Sequence, residues 1–354
     1  MTPARLRVAA LLALALAPGR AFAQAPRETL RIVVVGDINL ARIVARTFVL
    51  TGRGAEVFAA VRDSLRAADI ALGNLESLIY DRGGFADTAL SPVFAAPAAA
   101  APLLADAGFA AVSTANNHAW DFGHAALLES LAHLDSAGVL HAGTGPTPED
   151  ALRPVVIRRR GWTVAVFSVT AIFNEPDLTV RGHAAECCVA WADTLALRGA
   201  IAAARDSGAD LVLVMLHAGL EYRPVPPASV VAIAKGIIHA GADVVFGGHP
   251  HVPQGLGWAD GKPILYSLGN FVFAQHRPWT DRGLWAEYTV TPDGHRSLVV
   301  RPVLAGMQPA LAGGSDSAAV MKHFRAISDS LAALPPARTR RTLGRPHTPG
   351  PDHP

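Results

Sequence analysis

The chain has 354 residues, 51% of them hydrophobic and 17% charged, which excludes a disordered protein and leaves ample material for a large core. Lys+Arg 31 against Asp+Glu 29 gives a net charge of +2, so there is no basic excess and a nucleic-acid partner is not expected. Its two cysteines are adjacent, Cys187 and Cys188, which excludes a disulfide scaffold and a thiolate zinc site.

The first 23 residues read as a signal peptide. Arg5 and Arg7 precede an apolar run over residues 8–17, Pro18 and Gly19 break it, and Ala21-Phe22-Ala23 is a small-x-small cleavage site. The run is shorter than the ~20 apolar residues a spanning helix needs, so cleavage after Ala23 is expected rather than a retained anchor. An exported protein follows, placed in the periplasm, outside the cell or on its surface.

Residues 28–310 alternate strands and helices. Strands are expected at 30–35, 69–72 and 109–113, with helices at 55–67, 96–107 and 125–137. Residues 140–142 form a short extended piece. Residues 155–159 and 163–169 read as a hairpin through Arg160-Gly161. Strands at 211–216, 244–246, 264–267 and 284–290 alternate with helices at 195–207 and 229–239. This grammar argues an α/β protein with a mixed sheet. Residues 311–334 read as a helical extension, with the helix over 317–334, and residues 335–354 as a disordered Pro/Arg-rich tail.

The polar residues gather where strands end, which is where open α/β sheets bind ligands. Asp37 follows the first strand, Asn74 and Glu76 the second, and Asn116, Asn117, His118 and Asp121 the third. His217 ends a later strand with Glu221 beyond it. His249 and His251 flank Pro250, whose expected extended backbone fixes their relation. A lone Asp or Asn-Asn pair after a strand is usually a turn or cap. Together, carboxylate, amide and imidazole suit one or two divalent ions such as Mn, Fe or Zn. His183 and His276, in loops, are candidate cleft residues.

In order, the chain carries Gly36-Asp37-Ile38-Asn39-Leu40, Asn74-Leu75-Glu76 and Ala115-Asn116-Asn117-His118 with Asp121 and Gly123. These are followed by His217-Ala218-Gly219 with Glu221-Tyr222, Gly248-His249-Pro250-His251-Val252 with Gln254, and Tyr266-Ser267-Leu268-Gly269-Asn270-Phe271. The set resembles the CapA, or PgsA-like, capsule and poly-gamma-glutamate biosynthesis family. That resemblance implies the fold of calcineurin-like metallophosphoesterases, an α/β sandwich of mixed β-sheets flanked by helices with a dinuclear site at strand ends. It implies Asp37, Glu76, Asn117, His217, His249 and His251 as metal ligands, with Glu76 bridging. It also implies His118 as the proton donor to a leaving oxygen, with Asp121 orienting it. Asn39 stands where those enzymes place a ligating His, Glu76 replaces an Asp, and Ala218 replaces a frequent Trp. The first metal position is weakened accordingly.

Three readings follow from this resemblance. The chain is a metal-dependent hydrolase processing an anionic surface polymer or its precursor, a non-catalytic binding part of a membrane synthase complex, or a secreted metallophosphoesterase. Arg42, Asn74, Glu221 and Arg223 are the expected substrate-binding residues.

Overall fold

The structure is a computed structural model and describes residues 26–82, 93–174 and 188–333. The expected signal peptide and tail, Cys187 and His183 lie outside the described residues. The strands are β1 (Leu30–Ile38), β2 (Ile70–Leu75), β3 (Leu78–Ile79), β4 (Ala95–Ala96), β5 (Ala111–Ser113), β6 (Leu140–Ala142), β7 (Val155–Arg159) and β8 (Trp162–Thr170). They continue as β9 (Leu211–His217), β10 (Val244–Gly248), β11 (Leu256–Ala259), β12 (Lys262–Leu265), β13 (Asn270–Val272), β14 (Arg282–Val290), β15 (Arg296–Leu304) and β16 (Ala310–Leu311). The helices are α1 (Arg42–Val44), α2 (Arg62–Arg66), α3 (Ala100–Ala107), α4 (Gly123–Ser136), α5 (Pro148–Leu152), α6 (Thr194–Asp206), α7 (Ala228–His239) and α8 (Gly314–Ala332).

Two mixed sheets carry the fold. The first runs β16-β15-β14-β1-β2-β5-β6, with β13 also pairing β1, and its β1, β2, β5 and β6 are parallel. The second runs β11-β12-β10-β9-β8-β7, parallel from β12 to β8 with antiparallel edges. Side chains alternate along a strand, so each strand feeds two cores. Leu30, Ile32 and Val34 of β1 meet Val164, Leu213 and Phe246 between the sheets, whereas Val33 and Val35 face α3 and α4. On the far side of the second sheet, Phe167, Val214 and Val245 pack on α6 and α7. The result is a helix–sheet–sheet–helix sandwich, as the resemblance implied. Fully burying each such side chain stabilises by about 1.5–3 kcal/mol. Among the described residues no helix is long and apolar enough to cross a membrane.

Several elements differ from the sequence expectations. The single helix at 55–67 is instead a 3-10 turn (Gly54–Glu56), a run of turns and α2. It has no capping side chain, and the β-branched Val57 and Val61 are buried with Phe58 and Leu65, so packing rather than helix propensity sets the path. β15 was not expected. It pairs with β14 over nine residues through a turn at Pro292-Asp293-Gly294, a hairpin signal. α8 packs Val320 and Phe324 against the inter-sheet core and Ile327 and Leu331 against the α6–α7 layer.

Candidate metal centre

Strand register assembles the centre. Asp37 is opposite Asn74 across β1 and β2, Asn74 is opposite Ser113 of β5, and His217 is opposite Gly248 across β9 and β10. Each pair therefore arrives at the same edge of its sheet. Gly36 lets β1 close on the loop before β13. A Cβ there would overlap the Gly269 carbonyl oxygen, which accepts a hydrogen bond from Asp37 N at 3.0 Å. A Cβ on Gly248 would lie 2.5 Å from Asp37 Oδ1, so glycine is also needed where the two sheets meet. The Gly-His-Pro-His segment is not extended. His249 and His251 both have positive φ, 96° and 58°. The bend lets His249 N donate to Asp37 Oδ2 at 3.2 Å, while Tyr222 N donates to the Pro250 carbonyl at 2.8 Å.

At the middle lies Glu76, fully buried, and neither carboxylate oxygen has a hydrogen-bond partner among the described residues. Its Oε1 is 3.5 Å from His217 Nε2, 3.8 Å from His251 Nε2 and 4.0 Å from His118 Nε2. Two donor triads share it: Asp37, Glu76 and His251, and Glu76, His217 and His249. Asn117 Oδ1 reaches His217 Nε2 at 2.7 Å. The Nδ1 of His251 meets Asn270 Oδ1 at 3.0 Å and lies 3.5 Å from Asp37 Oδ2, so the ring is held between Asn270, Asp37 and Glu76. The Nδ1 of His249 is buried with no partner among the described residues.

Burial, then the charges of Asp37, Glu221 and Asp121, pushes the Glu76 carboxyl well above the usual carboxylate range. Burial, then His249, His251 and His118, holds His217 well below the ordinary imidazole value, and burial with His251 and His118 lowers His249 to about 3. The short His217–Glu76 approach is therefore no conventional ion pair. Crowded neutral imidazoles around an unpartnered carboxyl are a donor set that a divalent cation fits, because it favours the carboxylate and accepts the imidazole lone pairs.

His118 stands beside this cluster. Its Nδ1 donates to Asp121 Oδ2 at 2.8 Å, and the same oxygen accepts from Phe94 N at 2.6 Å. The Phe94 ring packs on the His118 ring at 3.9 Å between centroids. Asn174 adds an amide, with Nδ2 3.3 Å from His118 Nδ1 and Oδ1 accepting from Asn117 Nδ2 at 2.8 Å.

The expected substrate residues divide. Asn74 is buried beneath the centre, not open to a substrate: its Nδ2 donates to Asp37 Oδ1 at 2.8 Å and lies 3.2 Å from His217 Nδ1. Glu221 and Arg223 are exposed on the loop after β9, where the Arg223 carbonyl accepts from Gln254 Nε2 at 2.8 Å. Arg42 is half-buried with its guanidinium over Phe94. Asn39 Oδ1 accepts from Ala41 N at 2.9 Å, a local turn. Sequence reasoning missed Asn174 and Phe94. Asn174 lies just past the end of β8, the signal that found the others; Phe94 had none.

Fold and site together define an α/β sandwich protein with a candidate metal centre at its strand ends. The chain belongs to the bacterial capsule synthesis protein PGA_cap family, whose profile matches residues 31–275 and so contains every side chain of the centre. It is similar to the capsule biosynthesis protein CapA of Bacillus anthracis, 29% identical over 282 residues, covering 78% of this chain and 67% of that protein. It is equally similar to the PGA biosynthesis protein CapA of Bacillus subtilis, 29% identical over 281 residues, covering 78% of this chain and 72% of that protein. A solved structure of Thermus thermophilus sulfate thiohydrolase SoxB aligns over 87% of this chain and 62% of that chain, with a TM-score of 0.48 and 13% identity, a likeness too distant to carry functional meaning.

Proposed function

We propose that this chain is an exported, metal-dependent, hydrolase-like protein that works on an anionic capsule polymer such as poly-gamma-glutamate or its precursor. The observation that carries this is Glu76, buried, without a hydrogen-bond partner among the described residues, and shared by two ligand triads. Asp37, Glu76, Asn117, His217, His249 and His251 would hold one or two divalent ions of the Mn, Fe or Zn type. Such ions polarise a carbonyl or phosphoryl oxygen and lower the pKa of an attacking water.

The chain's own groups do the rest. Asp121 fixes the His118 tautomer with hydrogen on Nδ1, leaving Nε2 toward Glu76. Protonated at Nε2, His118 delivers a proton to the leaving atom as general acid. Phe94 and Asp121 hold that imidazole in place, and Arg42 and Arg223 attract the polymer's negative charge. Metal-loaded protein should cleave either a γ-linked glutamate oligomer or a phosphate monoester. His118→Asn should then lose about 100-fold or more of the turnover while keeping its metal. Unchanged turnover would remove His118 from the chemistry.

A polymer-holding role without turnover, within a membrane synthase complex, is the second reading. The amide of Asn39 is spent on the Ala41 turn, at the position where the related phosphoesterases keep a ligating His. Metal-loaded protein that binds the oligomer but cleaves neither substrate would favour it.

A further inference from the structure

The loop between β13 and β14 is tied to the centre through one buried amide. Asn270 Oδ1 meets His251 Nδ1 at 3.0 Å, while Asn270 Nδ2 donates to the Thr280 carbonyl at 3.0 Å and to Gln275 Oε1 at 3.1 Å. Gln275 Nε2 donates in turn to the Tyr222 hydroxyl at 3.3 Å. Buried Thr280 locks the backbone of Arg277: its Oγ1 accepts from Arg277 N at 3.0 Å and donates to the Arg277 carbonyl at 2.8 Å. Trp279 pins the loop from the other side, its ring 4.2 Å from that of His323 in α8. The fold therefore fixes where Arg277 stands relative to His251.

The Arg277 guanidinium lies over the Tyr222 ring, 4.5 Å from its centroid, and that ring is 6.0 Å from the His251 ring. One half-buried aromatic ring thus separates an exposed cation from a candidate metal ligand. An aromatic face holds a guanidinium without using up its N–H donors. Among the described residues those donors have no hydrogen bond and no ion pair, and Glu221, the carboxylate beside Tyr222, does not pair with them. Nearby Arg282 behaves differently, pairing with Asp281 and Asp316. Arg277 is a positioned cation with its hydrogen-bonding capacity unspent.

We propose that Arg277, held on Tyr222, is the anion contact of a subsite for the carboxylate-bearing unit of the polymer next to the unit at the metal centre. A γ-linked glutamate chain offers one free carboxylate per unit, and the arginine fork meets a carboxylate with two parallel hydrogen bonds. A cation already held in place loses less freedom on binding, so more of the contact appears as affinity. The inference rests on the polymer reading above, and the following test separates the two. Full-length protein as purified is titrated calorimetrically at low salt with a γ-linked glutamate trimer and, separately, with inorganic phosphate, which has no second unit. Metal content is measured for each variant.

Arg277→Gln should weaken trimer binding about tenfold, the loss of one charge-assisted contact, and leave phosphate binding and metal content as in wild type. Arg277→Lys, which keeps the charge but not the fork, should fall between the two. A trimer that binds wild type and Arg277→Gln equally well would overturn the subsite and leave the polymer reading standing. Equal weakening of trimer and phosphate would overturn it too, by placing Arg277 at the group on the metal rather than at the next unit. Loss of metal from Arg277→Gln would make the residue a structural strut. No trimer binding to wild type would overturn the polymer reading and the subsite with it.

Discussion

Glu76 concentrates the electrostatics of the molecule in one side chain. Its carboxyl is pushed up in the folded chain, so without a cation the folded state binds its proton more tightly than the unfolded state. Its contribution to stability is full below the ordinary value of 4.5 and is lost as pH rises through the raised folded value. In chelator-treated protein, Glu76→Gln should flatten the fall of stability above pH 4.5, read from melting temperature against pH. The same substitution should reduce metal binding. A slope identical to wild type would show that the buried carboxyl is not at fault. Gly248→Ala tests the steric side: its Cβ would meet Asp37 Oδ1 at 2.5 Å, so metal occupancy should fall several-fold in a folded protein. Most of these side chains were legible in the sequence, because strand ends are short and polar. The turned backbone at His249 and His251 was not. A residue before proline is expected to be extended, and here the bonds to Asp37 and Tyr222 override that preference.

Asp243, at the opposite end of the sheets from the centre, shows what ties the elements together. Leading into β10, it accepts from Val212 N of β9 at 2.8 Å and pairs with Arg205 of α6, and with Arg296 of β15 at 2.8 Å. One buried carboxylate thus joins a helix and both sheets. Burial pushes its pKa up, but Val212 N–H, Arg205 and Arg296 outweigh burial and hold it below 3.8. A depressed carboxyl stabilises above its unfolded value, so its contribution is complete above pH 3.8 and lost as pH falls through the lower folded value. Asp243→Asn should cost about 3 kcal/mol at neutral pH by denaturant unfolding, because it leaves two arginines against a neutral group. A cost under about 0.5 kcal/mol would mark the cluster as ordinary surface charge. Elements that are continuous apolar runs, such as β1 and β9, were readable in the sequence. The broken helix at 54–66 was not, because its burial is dictated by contacts with distant segments such as Phe109 and Phe271.

At the scale of the whole molecule, the centre sits on the seam between the two sheets. Asp37 and Glu76 come from the first sheet, His217 and His249 from the second. A cation held there links the two halves of the sandwich. Saturating metal at about 100 times its dissociation constant would add ~2.7 kcal/mol to stability, and chelation should lower the melting temperature by several degrees. An unchanged melting temperature on chelation, with metal shown to leave, would mean the seam is stable without it. Strand–helix alternation made an α/β fold legible, but the division of the strands between two sheets was not. Periodicity says which residues are buried and not which strands are neighbours, so the sandwich came from the ordered motifs.

The most direct test of the centre is the metal content per chain, by plasma mass spectrometry, of protein purified without chelators or a metal-affinity column. The expected result is divalent metal, about two ions per chain if Glu76 bridges, with loss in His249→Ala and in His251→Ala. Folded wild-type protein that carries none and takes up no added Mn or Zn, or variants that keep the wild-type content, would contradict the metal centre and leave the strand-end cluster as a polar binding cleft.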